Sequence, residues 1–457
     1  MKRFFSFVLL LSVLVTAGLG CKGPDQEVAI QQLQVKLDYW TVFNDVAQLK
    51  KMADEYKRIR PYVTVNIRQV RYEEFDQLFT NALADDAAPD MISIFARSVG
   101  KYQNRLAPMP SSVKVTNIAV KGQYVQETVV TQQNLAMPSA NDVRKNYVTT
   151  VGEDVIIGNQ VYGLPLALDT LALYYNKDLL DQAGVPLPPK TWEEFTDAVK
   201  KGTKFDRTGK IIQSGVALGT PDNIDNAPDI FALLLMQNGI ELTKGRDVTF
   251  ENGVERGDIQ QHPTVNALRF YTDFARVTKD VYTWNEEMGN ALEQFTRGKS
   301  VFYFGFAYDA PRIRARAPQM NVEVTTIPQH TPEANKNVAN YWVESVVKKS
   351  NNQNEAWDFI RFLSAPENIK KYTDVTRQPT PLRSQINDQL KNETLAPFAS
   401  QALAAKNWYR GRDVDTATRA IRTLIREYRK PYGDNQNPNK RDADLISNTA
   451  RVIQQTM

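Results

Sequence analysis

The chain is poor in the side chains that build metal and redox centres. Cys21 is its only cysteine, and His262 and His330 are its only histidines, in 457 residues. A single thiol excludes an internal disulfide, and no Cys/His cluster of zinc-binding spacing is present. Gly298-Lys299-Ser300 ends like a phosphate-binding loop, but Glu293 stands where its first glycine belongs. No Gly-x-Ser-x-Gly elbow occurs. Asp206-Arg207-Thr208-Gly209 lacks the alternating acids and terminal glutamate of a calcium loop, and reads as a β-turn. No cofactor and no metal are expected. An excess of charge of one sign is also missing, since 56 Lys and Arg stand against 52 Asp and Glu. Arg410, Arg412, Arg419, Arg422, Arg426 and Arg429 are separated by acids and apolar residues. They read as a solvated helix face, so nucleic acid is not an expected partner. Beyond residue 20 no apolar run approaches the roughly 20 residues of a bilayer span.

What is present begins at the N-terminus. Lys2 and Arg3 precede an uncharged apolar run, Phe4 to Leu19, and small residues lead to Cys21. Residues 1–20 read as an export signal. The segment resembles the lipobox of bacterial lipoproteins, with Gly18 where leucine is usual. That resemblance implies lipidation at Cys21 and a membrane anchor; plain secretion is the other reading. Residues 21–33 are polar and small, and read as the lipidated cysteine and a tether.

The next stretch alternates cleanly. Val35 to Trp40 has strand composition. Val46, Leu49, Met52, Ala53, Tyr56 and Ile59 recur at helical spacing, and Pro61 stops that helix. Val63, Val65 and Ile67 alternate with polar residues. Phe75, Leu78, Phe79, Ala82 and Leu83 form a second helical stripe, and Asp90 to Phe95 is an apolar strand. Strand, helix, strand, helix, strand predicts an α/β fold with a parallel sheet flanked by helices. Ligands of such sheets bind beyond the carboxyl ends of the strands. The residues leaving those ends are Trp40 to Asn44, Gln69 to Tyr72 and Phe95 to Ser98, a set suited to a polar organic ligand. Residues 110–150 have weak periodicity and predict a decorated lobe edge. Thr191-Trp192-Glu193-Glu194 is a capping box that opens a further helix. Helices are also predicted over Phe231 to Asn238, Val265 to Val277, Ala291 to Thr296, Ala356 to Leu363 and Ala443 to Met457, and strands over Ser300 to Phe306 and Val322 to Ile327.

From Val161 the chain reads VYGLPLALDTLALYYNKDLLDQAGVPLPPKTWEEF. Tyr162 to Pro165, Asp169, Tyr174 to Leu180, Gly184 to Pro186 and Pro189 to Glu194 together resemble the signature region of family 1 extracellular solute-binding proteins. These are the capture subunits of ABC importers. Ala88-Pro89-Asp90, Tyr102 to Pro108, Phe295 to Ser300 and Ser350 to Pro366 resemble further blocks of the same family. The resemblance implies a periplasmic-binding-protein-like fold of two lobes, each a mostly parallel sheet flanked by helices, with ligand in the cleft between them. Lobe one is expected at 34–166 plus 328–373, and lobe two at 167–327 plus 374–457.

The family's cleft residues carry over to Trp40, Thr41, Phe43 and Asn44, to Phe95, Arg97 and Ser98, to Asp169, to Tyr308, and to Trp408 in a late segment that often adds an aromatic. Tyr341 and Trp342 stand where many members have a Gly-Gly pair, which implies a narrower or differently shaped site. Aromatic rings cover the C–H faces of a pyranose, while carboxylate, amide and guanidinium groups take its hydroxyls. The same set suits cationic ligands, because aromatic faces attract cations. The leading expectation is a monomeric, non-enzymatic binding protein on the outer face of the cell membrane. It captures a mono- or oligosaccharide by hinge closure and delivers it to an ABC permease. A polyamine, peptide or phosphodiester ligand remains open, with Glu344, Asp38 and Asp45 as further candidate acids. So do a sensor role and a surface glycan-active enzyme, which needs two carboxylates facing across the cleft.

Overall fold

A computed structural model describes residues 26–121, 127–256, 258–331, 334–434 and 436–457. Cys21 and the export signal lie outside the described residues.

The first sheet has the order Trp342–Val346, Met91–Phe95, Val35–Thr41, Val63–Gln69. The last three strands are parallel, and Trp342–Val346 joins the edge antiparallel. Asp45 begins the helix Val46–Ile59, its side chain accepting from the Gln48 N–H at 2.8 Å. Arg60, which precedes Pro61, leaves the helical region at φ −126°. That helix presents Leu49, Met52 and Tyr56 to the core, and Gln353–Leu363 adds Trp357, Phe359 and Ile360.

The second sheet has the order Lys204–Phe205, Ile211–Val216, Ser300–Gly305, Ala172–Asn176, Val322–Thr325. Only the pairing of Ile211–Val216 with Ser300–Gly305 is parallel. The expectation of a mostly parallel sheet therefore describes the first lobe and not the second. Ala172–Asn176 enters from the crossing between lobes and runs opposite to both its neighbours. The capping box forms as read: Thr191 accepts from the Glu194 N–H at 3.2 Å, and the Glu194 carboxylate receives the Thr191 N–H at 3.3 Å. Trp192 packs among Phe195, Phe270 and Phe304.

Each sheet has its own hydrophobic core, and the chain changes cores at a small third sheet. There Asp169–Thr170 pairs antiparallel with Asn337–Asn340, which pairs parallel with Ala405–Lys406. Leu168, Ala339 and Ala405 belong to the first core; Leu171, Val338 and Trp408 belong to the second. Three short strands thus carry the backbone between lobes. Leu382 and Ile386, expected in the second lobe, pack in the first core, because the chain turns back at Arg377 (φ 57°) into the short helix Arg383–Gln389.

Two segments carry more structure than expected. Residues 26–32, read as tether, form a helix. The weakly periodic 110–150 region holds a hairpin of ten-residue strands, Ser112–Lys121 and Glu127–Ala136, with Val113 and Val115 buried at its base. Among the described residues no helix is long and apolar enough to cross a membrane.

Candidate ligand cleft

At the carboxyl end of the first sheet the register places Trp342 directly opposite Phe95. Paired residues share a sheet face, and their rings meet at 5.6 Å. Phe43, from the loop after the first strand, lies parallel to the Trp342 ring, with centroids 5.9 Å apart and planes 5° apart. From the second lobe Tyr308 meets Phe43 edge-on at 4.8 Å. Tyr72, at the start of the helix Tyr72–Ala84, completes the wall at 6.2 Å from Trp342. Its hydroxyl donates to Asp415 Oδ1 at 3.0 Å, on the second lobe's helix Val414–Arg429. Burial, with Asp415 beside it, raises the Tyr72 phenol further above its ordinary value.

A cavity of about 450 Å³ opens between these elements. Val42, Tyr72, Phe95, Ser98 and Trp342 line one side, and Val414, Asp415, Thr418 and Arg419 the other. Lys101, Glu73 and Asp76 stand at its margin, with Lys101 paired to Asp76 at 3.0 Å. The cavity therefore offers flat apolar faces with hydroxyl, carboxylate and cationic groups around them.

Beneath Trp342, and on the same strand face, lies Glu344, fully buried. Tyr39 Oη donates to its Oε2, Ser93 Oγ donates to Oε1 at 3.1 Å, and Asn44 Nδ2 donates to Oε1 at 2.7 Å. Burial pushes the Glu344 carboxyl up to about 7, against the pull of those three donors.

The remaining candidates are placed differently. Arg97 is 3% exposed, and its guanidinium carbon lies 5.1 Å from the Phe95 ring and 4.5 Å from the Trp408 ring. It donates to Asp229 Oδ1 at 2.6 Å, to Asn407 Oδ1 at 2.5 Å and to the Ala339 carbonyl at 2.9 Å. Trp408 Nε1 also donates to Asp229 Oδ1, at 2.8 Å. Arg97 Nε and Nη2 and Trp408 Nε1 are thus met by protein, in a buried cluster that joins the lobes. Tyr341 is buried and turned away, donating to Asp154, which also receives Arg410 Nε at 2.6 Å. Asp169 is buried at the crossing. Its Oδ1 accepts the Thr170 and Ala307 N–H groups, each at 2.9 Å, and its Oδ2 the Tyr308 N–H at 3.1 Å. It braces the turn that carries Tyr308, and burial lifts its carboxyl to about 7. Trp40 lines a separate groove with Asp38 and Arg68, the Arg68 guanidinium 5.0 Å from its ring. Thr41 is fully buried, and its hydroxyl has no partner among the described residues.

Of the sequence candidates, Phe95, Ser98 and Trp342 line the cavity, Phe43 packs beside Trp342 and Tyr308 on Phe43, with Asn44 following Phe43 in the chain. Tyr72 and Asp415 join them on the lining, while Glu344, one of the further candidate acids, lies buried beneath Trp342. Tyr72 was legible as a residue leaving the second strand, whereas Asp415 carries no local signal.

The family profile of bacterial extracellular solute-binding proteins matches residues 40–370, and the chain belongs to that family. It is 22% identical over 409 residues to the multiple sugar-binding protein of Streptococcus mutans, covering 87% of this chain and 86% of that one. It is 26% identical over 261 residues to the maltodextrin-binding protein of Bacillus subtilis, covering 54% and 57%. Among solved structures, the GacH receptor of Streptomyces glaucescens superposes with a TM-score of 0.68 at 19% identity, covering 93% of this chain and all of that one. A solute-binding protein of Thermotoga lettingae, solved with α-D-tagatose, superposes at 0.64 and 18% identity, covering 92% and 99%. The fold is that of the two-lobed binding proteins, and the family is extracellular.

Proposed function

We propose that the chain captures a mono- or oligosaccharide in the cleft between its lobes and passes it to an ABC permease. The observation that carries this reading is the set of rings Phe95, Trp342 and Tyr72 lining a cavity of about 450 Å³, with Phe43 packed beside Trp342 and Tyr308 on Phe43. Rings of this kind cover the faces of a pyranose, and Ser98, Asp415 and Arg419 are within the lining to take its hydroxyls. The names of several relatives, sugar-binding and maltodextrin-binding, support the same class. A strongly cationic ligand is less well served, because Lys101 and Arg419 offset much of the charge of Glu73, Asp76 and Asp415. Binding proceeds by closure of the lobes about the three short crossing strands, with ligand bridging both. Capture without turnover is the proposed role. Acylation of Cys21 tethers the protein, as a monomer, to the outer face of the membrane.

The test is a thermal-shift screen of the chain carrying Cys21→Ser against monosaccharides, disaccharides, polyamines and short peptides. A ligand at a hundred times its Kd stabilises the native state by about 2.7 kcal/mol. A raised melting point with one sugar class supports the proposal, and a shift only with polyamines or peptides overturns its ligand.

A further inference from the structure

Asn44 has its side-chain nitrogen turned inward. Nδ2 lies 2.7 Å from Glu344 Oε1, 3.0 Å from Tyr39 Oη and 3.1 Å from Ser93 Oγ. Both hydroxyls give their own proton to Glu344 and so turn a lone pair toward Asn44. Every neighbour of that atom is thus an acceptor. The flipped amide would set a carbonyl oxygen 2.7 Å from a carboxylate oxygen, a repulsive contact in a buried setting. The two ends of a carboxamide diverge, so Oδ1 is directed away from the network. It takes no hydrogen bond from the described residues, and Asn44 is only partly buried, directly after Phe43 in the loop that follows the first strand.

We infer that Glu344 is a positioning residue that makes Asn44 present its carbonyl oxygen to the cleft, where it accepts a hydrogen bond from a ligand hydroxyl. This rests on the sugar reading of the cleft. Glu344 does not touch the ligand; it sets the polarity of the residue that does. A second consequence follows from its surroundings. The groups facing the carboxylate are Tyr39 on the first strand, Asn44 on the loop after it, Ser93 on the central strand and Tyr372 on the helix Pro366–Thr376. Tyr372 Oη in turn accepts the Asp45 N–H at 3.1 Å. No Lys, Arg or His among the described residues pairs with Glu344. With its carboxyl raised to about 7, protonation lies within reach of mild acid. The acid form can donate to Asn44 Oδ1 as readily as the anion accepts from Nδ2, so both amide orientations become allowed and the cleft loses its fixed acceptor.

The test has a ligand-free arm and a binding arm, both on the Cys21→Ser chain. In the first, the 15N side-chain amide signal of Asn44 is followed from pH 5.5 to 8; the expected result is a transition near pH 7 that is absent in Glu344→Gln. In the second, binding of D-glucose, maltose and mannobiose is measured over the same range. The tightest sugar is expected to bind roughly tenfold more weakly at pH 5.5 than at pH 8, the usual scale for a lost polar contact with its partner left unpaired. Glu344→Gln and Asn44→Ala are expected to bind weakly at every pH, and the double variant no more weakly than Asn44→Ala alone. Melting points of all variants separate these effects from unfolding. Tight binding by Glu344→Gln at pH 8, or a flat profile in the unsubstituted cleft, overturns this inference and leaves the sugar reading intact. Absence of binding for all three sugars at every pH counts against the sugar reading instead. The amide signal then decides the positioning: a transition lost in Glu344→Gln supports it, and a static signal overturns it.

Discussion

Arg97 of the first lobe donates to Asp229 of the second at 2.6 Å, and the pair is sealed between the Phe95 and Trp408 rings. The guanidinium also donates through Nε to Asn407 Oδ1 and through Nη2 to the Ala339 carbonyl. A buried pair of this kind contributes little over an apolar substitute, but removing one partner strands a charge.

Asp229→Asn is accordingly expected to destabilise the protein by about 3–5 kcal/mol, the range for breaking a buried ion pair. Urea unfolding of the two proteins measures it. A loss below about 1 kcal/mol would mean that Arg97 finds water once its partner is neutral.

Trp342→Gly removes a ring that packs on both Phe43 and Phe95 and widens the cavity at its floor. The variant is expected to shift preference from disaccharides toward longer oligosaccharides of the same sugar. Competition binding across a chain-length series checks this, and unchanged length selectivity contradicts it.

Stability should fall as pH rises from about 4 to 8. Burial raises the Asp169 and Glu344 carboxyls to about 7 and Asp309 to about 6 in the native chain. Between the ordinary carboxylate range and those values the native state holds more protons than the unfolded state, so the slope of unfolding free energy with pH is negative. The contribution is fully present below the ordinary range and lost through pH 6–7. Melting temperatures across that interval test the sign, and a melting point that rises from pH 5 to pH 8 refutes it.

Cys21→Ser is expected to move the protein from the membrane fraction to the soluble fraction. Equal distribution of both forms would leave secretion without an anchor as the better reading of the N-terminus.

The strand and helix order from Val35 to Phe95 was readable because the helical stripes and the alternating second strand are short and periodic, Pro61 stops the first helix, and Pro89 precedes the apolar third strand. The cleft was readable only in part. Phe95 and Trp342 meet through a strand register that no local pattern encodes. Arg97 looked like a ligand contact, yet its partner Asp229 lies 132 residues further along the chain. Asp169 likewise has the chemistry of a ligand acid, and its oxygens go to backbone amides at the crossing. In each case residue type announced a polar contact, and only tertiary structure decided with whom. The hairpin strands Ser112–Lys121 and Glu127–Ala136 were missed because the alternation of Val113 and Val115 with polar residues breaks at the consecutive Ile118, Ala119 and Val120 and at Val129 and Val130.

The most direct test of the account is a calorimetric titration of the Cys21→Ser chain with maltose and with mannobiose, repeated on Trp342→Ala. Saturable binding of one sugar, at least tenfold weaker in Trp342→Ala with the melting point of the free protein little changed, is the predicted result. Binding of equal strength in both proteins, or none to either while a polyamine or peptide binds, would contradict capture of a sugar on this aromatic wall.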